Sequence, residues 1–281
     1  MKKLSQEQKK RYTRVAVIVL PFIIISFFLR LPFYYTVIFY LAAFLISAIF
    51  FFPNYLAVWA NLNYARGNAN ARKLLKTAID MKTKSPVAHL NYAILLARDG
   101  DGENAYATLE KALALKPKII TEKNIRLTMG ISRWVMRDID GALKILEDMR
   151  ERFEYVNAHV LTSLSYMYFL KDDMENALAL TEKAIEDSPD YAAAWDNLGQ
   201  IKYAANDTSA AKEALLKAIE YKSELADSNY YLGVIAEAEN ETERALEYYD
   251  KALACNITAL NTVTREQIEA RRGALRPPET V

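Results

Sequence analysis

Five alanines constrain this chain more than any other feature: Ala105, Ala142, Ala177, Ala211 and Ala245 recur at intervals of 37, 35, 34 and 34 residues. Four residues after each stands a larger side chain, Leu109, Leu146, Leu215 or Tyr249, with Thr181 the exception. Three further on lies Ala112, Met149, Ala184, Ala218 or Ala252. Residues spaced by four and then three share one face of a helix. A self-similar period of about 34 residues predicts a solenoid of stacked helix pairs, a fold that presents a long concave surface to partners.

Aligned on the alanines, the units run 86–119, 123–157, 158–191, 192–225 and 226–259. A small residue recurs in each first helix (Ala93, Gly130, Ser165, Gly199, Gly233), where it lets the two helices of a pair approach closely. Between the helices of each pair sits an acid, Asp101, Asp138, Asp173, Asp207 or Glu241, placed to accept from the orphan amides of the second helix. Pro117 and Pro189 stop helices at unit ends. A partial sixth unit is expected in 53–85, where Ala71, Leu75 and Ala78 repeat the second-helix spacing behind a first helix at 54–66. After 259, the stretch Thr264–Ala274 reads as a polar capping helix, and 260–281 as cap and tail.

The net charge of +1 hides a strong asymmetry. Six basic residues and one acid fill 1–14, and six basic residues and Asp80 fill 53–85, whereas 19 acids and 7 bases fill 172–251. Between the two basic stretches, 15–52 holds a single charge, Arg30. One helix of that length would run about 57 Å, nearly twice the hydrocarbon core, so two spans are expected, 15–31 and 33–52, turning at Arg30-Leu31-Pro32. Basic flanks on both sides put both termini in the cytoplasm, which makes the chain a multi-pass protein of the cell (inner) membrane. Tyr12, Tyr34, Tyr35, Tyr55 and Trp59 fall near the interfaces. A re-entrant hairpin is the alternative.

The signature Trp195-x-x-Leu198-Gly199-x-x-x-Tyr203, the later Ala-x3-Leu/Tyr-x2-Ala pattern and the closing prolines resemble the tetratricopeptide repeat. Tyr203 falls one place later than the family pattern has its tyrosine, and Arg126 and Arg133 stand where the pattern has apolar residues. The resemblance implies a right-handed solenoid of about five to six helix pairs, which after the two N-terminal membrane helices makes the expected fold all-α. It also implies peptide or helix binding in the groove lined by first helices. Carried over place by place, the groove residues are Asn91, Arg98, His159, Thr162, Tyr166, Phe169, Asp196, Asn197, Gln200, Tyr203, Asp227, Tyr230, Tyr231 and Glu237. The alternative for each is an ordinary polar face of the solenoid.

Some arrays of this family hold a terminal carboxylate in a basic clamp. The places around Asn197 hold Thr162, Tyr166, Asp227 and Tyr231, and those around Asn91 hold Leu56, Ala60, Asn124 and Thr128. With no cation among them that ligand is excluded. The acidic second half favours a basic or neutral partner segment. The single cysteine, Cys255, leaves no internal disulfide and no paired-cysteine metal module. No phosphate-cradling glycine loop, nucleophile elbow or His/Cys metal spacing occurs. The expectation is therefore a non-enzymatic, membrane-anchored scaffold without cofactor, metal, nucleic acid or small-molecule substrate. Its partners would be another protein or peptide segment, and lipid through 15–52. The alternative is an obligate subunit or assembly factor of a membrane complex, acting through the hairpin.

Overall fold

The computed structural model describes residues 32–153 and 156–275. The first expected span, 15–31, and the basic segment before it lie outside the described residues. Thirteen helices follow among those described: α1 (Phe33–Ala65), α2 (Ala71–Asp80), α3 (Pro86–Arg98), α4 (Gly102–Ala114), α5 (Ile119–Val135), α6 (Ile139–Arg152), α7 (Ala158–Phe169), α8 (Met174–Asp187), α9 (Ala192–Ala204), α10 (Thr208–Tyr221), α11 (Ala226–Ala238), α12 (Thr242–Ala254) and α13 (Arg265–Leu275). The described residues contain no strand.

The turns inside the pairs are written locally. At the end of each first helix the backbone swings left-handed, at Gly100 (φ 87°), Arg137 (64°), Asp172 (59°), Asn206 (60°) and Asn240 (62°). The next residue caps the second helix. Asp101, Asp138, Asp173 and Asp207 each accept from a backbone N–H three residues on, at 3.2, 2.9, 3.1 and 3.2 Å. Glu241 makes no such bond and ion-pairs with Arg244 at 3.0 Å instead. Its extra methylene carries the carboxylate past the amide it would cap.

The pairs close by matching a small residue against a large one sixteen places later. Gly130, Gly199 and Gly233 abut Leu146, Leu215 and Tyr249 so tightly that an added Cβ would lie 2.8, 2.5 and 2.5 Å from the nearest side-chain atom. Thr181, the exception in the alanine pattern, is explained here. Its partner place holds Ser165, and the two hydroxyls bond at 2.5 Å while Ser165 also donates to the Ala177 carbonyl at 2.8 Å. Both side chains are fully buried, so the polar pair replaces the glycine–leucine contact without leaving a hydroxyl unpaired.

Four apolar clusters follow one another along the array, each shared between adjacent pairs. The basic intruders of the second unit are accommodated at its edge. Arg126 pairs with Glu122 at 3.0 Å, and Arg133 stacks on Tyr106 at 4.3 Å while reaching Asp138 at 3.0 Å.

The helix α1 runs unbroken through Pro53. It bends by 41° between Tyr34–Ile46 and Ala48–Ala65. Proline clashes with the carbonyl one turn before it, so the kink falls upstream of the ring. Below the kink, Leu56, Ala57 and Ala60 pack on Leu75, Ala78 and Ala88. Asn54 accepts from Thr83 Oγ1 (3.0 Å) and Lys84 N (2.8 Å), tying α1 to the α2–α3 turn. Above the kink the apolar side chains find no cover from the described residues, with Phe44 70 % and Ile46 68 % exposed. No single described helix is long and apolar enough to cross a membrane, although the bent pair within α1 has that length and composition. The two-span hairpin is therefore not shown, its first span lying outside the described residues.

Candidate functional site

Links between successive pairs are four or five residues long, but the link from α12 to α13, Cys255–Thr264, has ten. This strap crosses the concave face. Ala259 N donates to the Arg98 carbonyl at 2.9 Å, which satisfies an orphan acceptor at the C-terminus of α3. Leu260 packs against the cluster formed by α3, α4 and α5. Asp227, at the start of α11, holds the strap's other end. Its Oδ1 accepts from Thr262 N (2.8 Å), Thr262 Oγ1 (2.8 Å) and Val263 N (3.0 Å), and its Oδ2 from Asn261 Nδ2 (2.8 Å). The last helix pair is thereby fastened to the α3–α4 pair near the other end of the array.

Beneath the strap lies a chamber of about 440 Å³. Of the expected groove residues, Arg98, His159, Thr162, Tyr166, Asp196, Asn197 and Asp227 line it. Trp134 and Tyr191 line it as well; the former meets Tyr166 edge-on at 5.4 Å and the latter lies 6.1 Å from His159. His159 is open toward the chamber, yet the protein crowded around it lowers its imidazole pKa. Burial raises the Tyr166 and Tyr191 phenols.

The remaining expected residues do other work. Gln200, 2 % exposed, donates from Nε2 to Asp196 Oδ2 at 2.8 Å. Asn197 donates to the Thr162 carbonyl at 2.9 Å and so staples α9 to α7. Asn91 donates to Asn61 at 3.0 Å, away from the chamber. Tyr203 and Tyr230 flank Tyr231 at 5.4 Å each, in an aromatic stack packed on the α11–α12 cluster. Phe169 lies 6.0 Å from Tyr166, and Glu237 is held by Tyr249 and Arg271.

Asp196 is the electrostatic centre of the chamber. It is 9 % exposed, and it accepts from Ser228 Oγ as well as from Gln200. Burial and, after it, the Asp227 charge push its carboxyl up to about 7, against the pull of those two bonds. The same two carboxylates, added to burial, push the Tyr231 phenol up to about 12.

Sequence reading missed the strap and, in the aromatic wall, Trp134 and Tyr191. Helical periodicity places first-helix residues on the concave side but cannot tell a ligand contact from a staple. The legible signal for the strap was its length: ten residues where every other link between successive pairs has four or five.

A tandem array of helix pairs with a polar and aromatic concave face defines an interaction solenoid. Residues 61–118, 127–192 and 197–259, together more than half of the sequence, match the tetratricopeptide repeat, and the chain belongs to that family. It is 31% identical over 137 residues to a TPR repeat-containing protein of Pseudomonas aeruginosa, a match covering 46% of this chain and 49% of that one. The chain thus spans about half the length of the curated relative it matches. Among solved structures, a tetratricopeptide repeat protein from Parabacteroides merdae superposes with a TM-score of 0.65 at 15% identity, covering 80% of this chain and 84% of that one. A thermophilic TPR protein of Thermus thermophilus gives 0.56 at 17% identity, over 68% and 98%. Proteins of this fold are in general interaction scaffolds rather than enzymes.

Proposed function

We propose that this protein is a scaffold that binds a partner protein segment in its concave face while its N-terminal apolar segment holds it at the cytoplasmic side of a membrane. The observation that carries the reading is the chamber itself, a concave site walled by aromatic and hydrogen-bonding side chains from successive first helices. Such walls suit a wet peptide contact, because rigid rings give contact area at low entropic cost. The acidic lining favours a basic or neutral segment. The membrane part rests on the charge-poor run 15–52 between basic flanks, and on the uncovered apolar side chains of α1 above the kink. Anchoring would raise the local concentration of a membrane-proximal partner.

The test is a photo-crosslinking residue at Ser163, which lines the chamber, in native membranes. One dominant protein captured there, and lost in Tyr166→Ala, supports the groove; capture that ignores Tyr166 refutes it. Reporter fusions at residues 1 and 281 should both read cytoplasmic. A second reading, favoured by the exposed apolar face of α1, is an obligate subunit or assembly factor of a membrane complex. In that case exchanging 15–52 for an unrelated anchor abolishes function, whereas the scaffold tolerates the exchange.

A further inference from the structure

The chamber wall has an unusual donor–acceptor balance. Asp227 is saturated by four donors from the strap. Asp196 receives only two, where a carboxylate offers about four acceptor positions. Thr162, which lines the same chamber, is 6 % exposed, and its Oγ1 has no partner. Neither Asp196 nor Asp227 has a cation within ion-pair distance among the described residues, and the wall's own Arg98 and Lys222 are exposed. A buried wall rich in acceptors and short of donors points to a ligand that brings donors and positive charge.

We propose that the roofed chamber is an anchor pocket for one primary ammonium, the ε-amino group of a lysine on the partner segment. This rests on the concave face being the partner-binding surface. An ammonium carries three donors and no acceptor, which answers the spare lone pairs of Asp196 and the free Thr162 hydroxyl. Trp134 and Tyr166 line the chamber, where aromatic rings attract a cation and give the apolar lysine stem a surface to lie on. A guanidinium fits less well. Its planar fork needs both oxygens of one carboxylate in a bidentate approach, and on Asp196 Ser228 and Gln200 already hold one position of each. A divalent cation would require more oxygen ligands than one unsaturated carboxylate supplies. The elevated carboxyl of Asp196 is consistent with a site awaiting its counter-charge, and ammonium binding below neutral pH would release a proton from it.

The experiment is calorimetric titration of the full chain, in detergent at about pH 7.5, with the peptide acetyl-Gly-Ala-Lys-Ala-Gly-amide and with its norleucine and acetyl-lysine counterparts. The lysine peptide should bind at least about tenfold more tightly than either neutral peptide. Asp196→Asn should remove about tenfold in affinity, and Thr162→Val a smaller factor with an unchanged melting temperature. Near pH 6 the binding heat should vary with buffer ionisation enthalpy in the native chain and not in Asp196→Asn. Equal binding of the lysine and norleucine peptides, no detectable binding of the lysine peptide, or indifference to both substitutions overturns the pocket. Should Asp196→Asn fail to fold, the norleucine comparison and Thr162→Val decide. n-Butylammonium binding as tightly as the peptide overturns the assignment to a partner side chain. Specific capture at Ser163 that persists alongside a failed lysine titration removes the pocket and leaves the scaffold reading intact.

Discussion

Gly199→Ala isolates the contact that closes a helix pair. An added Cβ would sit 2.5 Å from Leu215 Cγ and 2.6 Å from Cδ2, with the Ala211 carbonyl at 3.4 Å. Carbon atoms pack best at about 3.5–4.0 Å, so α9 and α10 must separate by about 1 Å or Leu215 must leave its rotamer. Overpacking of this kind costs about 1–3 kcal/mol, while glycine to alanine within a helix gains about 1 kcal/mol. The net expectation is a loss of about 1 kcal/mol, and a larger loss for Gly199→Leu. An internal control exists in Gly273 of α13, where a Cβ would meet nothing within 4 Å. Gly273→Ala should therefore show the propensity gain alone. Urea denaturation followed by circular dichroism measures both. Combining Gly199→Ala with Leu215→Ala should recover about 1–2 kcal/mol relative to additivity, since the clash disappears with the leucine. If Gly199→Ala stabilises as much as Gly273→Ala and the double variant is additive, the close-approach account of the repeat is wrong.

Three further outcomes follow from individual side chains. Glu241→Asp should add about 0.5–1 kcal/mol of stability by giving α12 the cap its four counterparts possess, visible as a higher urea midpoint. Because the Asp196 carboxyl is raised in the folded state, the native chain binds an extra proton between about pH 4 and pH 7, so stability falls as pH rises through that window; the ceiling is about 4 kcal/mol. Melting temperatures across pH should show this slope, and Asp196→Asn should flatten it. Asn261→Ala combined with Thr262→Val removes two of the four strap bonds to Asp227 while keeping its charge, and should speed labelling of Cys255, the lone thiol at the strap's start, by about tenfold. An unchanged labelling rate would mean that the strap is held by packing alone.

What the sequence discloses depends on how far apart the interacting residues are. The capping acids, the left-handed turn residues and the Gly199–Leu215 type of contact repeat at fixed short spacings, so they can be read directly. Thr181 could be noticed as an exception but not explained, because its reason is Ser165 on the facing helix. Gln200 and Asn197 stand at groove-facing places, but their amides are taken by Asp196 and Thr162, a choice made by tertiary contact and invisible to periodicity. The strap depends on Ala259 meeting Arg98 and on Asn261 meeting Asp227, pairings that no local pattern encodes.

The bond between Ala259 and Arg98 also bears on how such a chain can evolve. An open solenoid tolerates duplication or loss of a repeat, because each unit meets only its neighbours. Here a tether of fixed length joins the last pair to the α3–α4 pair. Inserting or deleting one pair would carry Arg98 out of its reach and unroof the chamber. The strap therefore acts as a tally of the array, setting the copy number at which the molecule closes on itself.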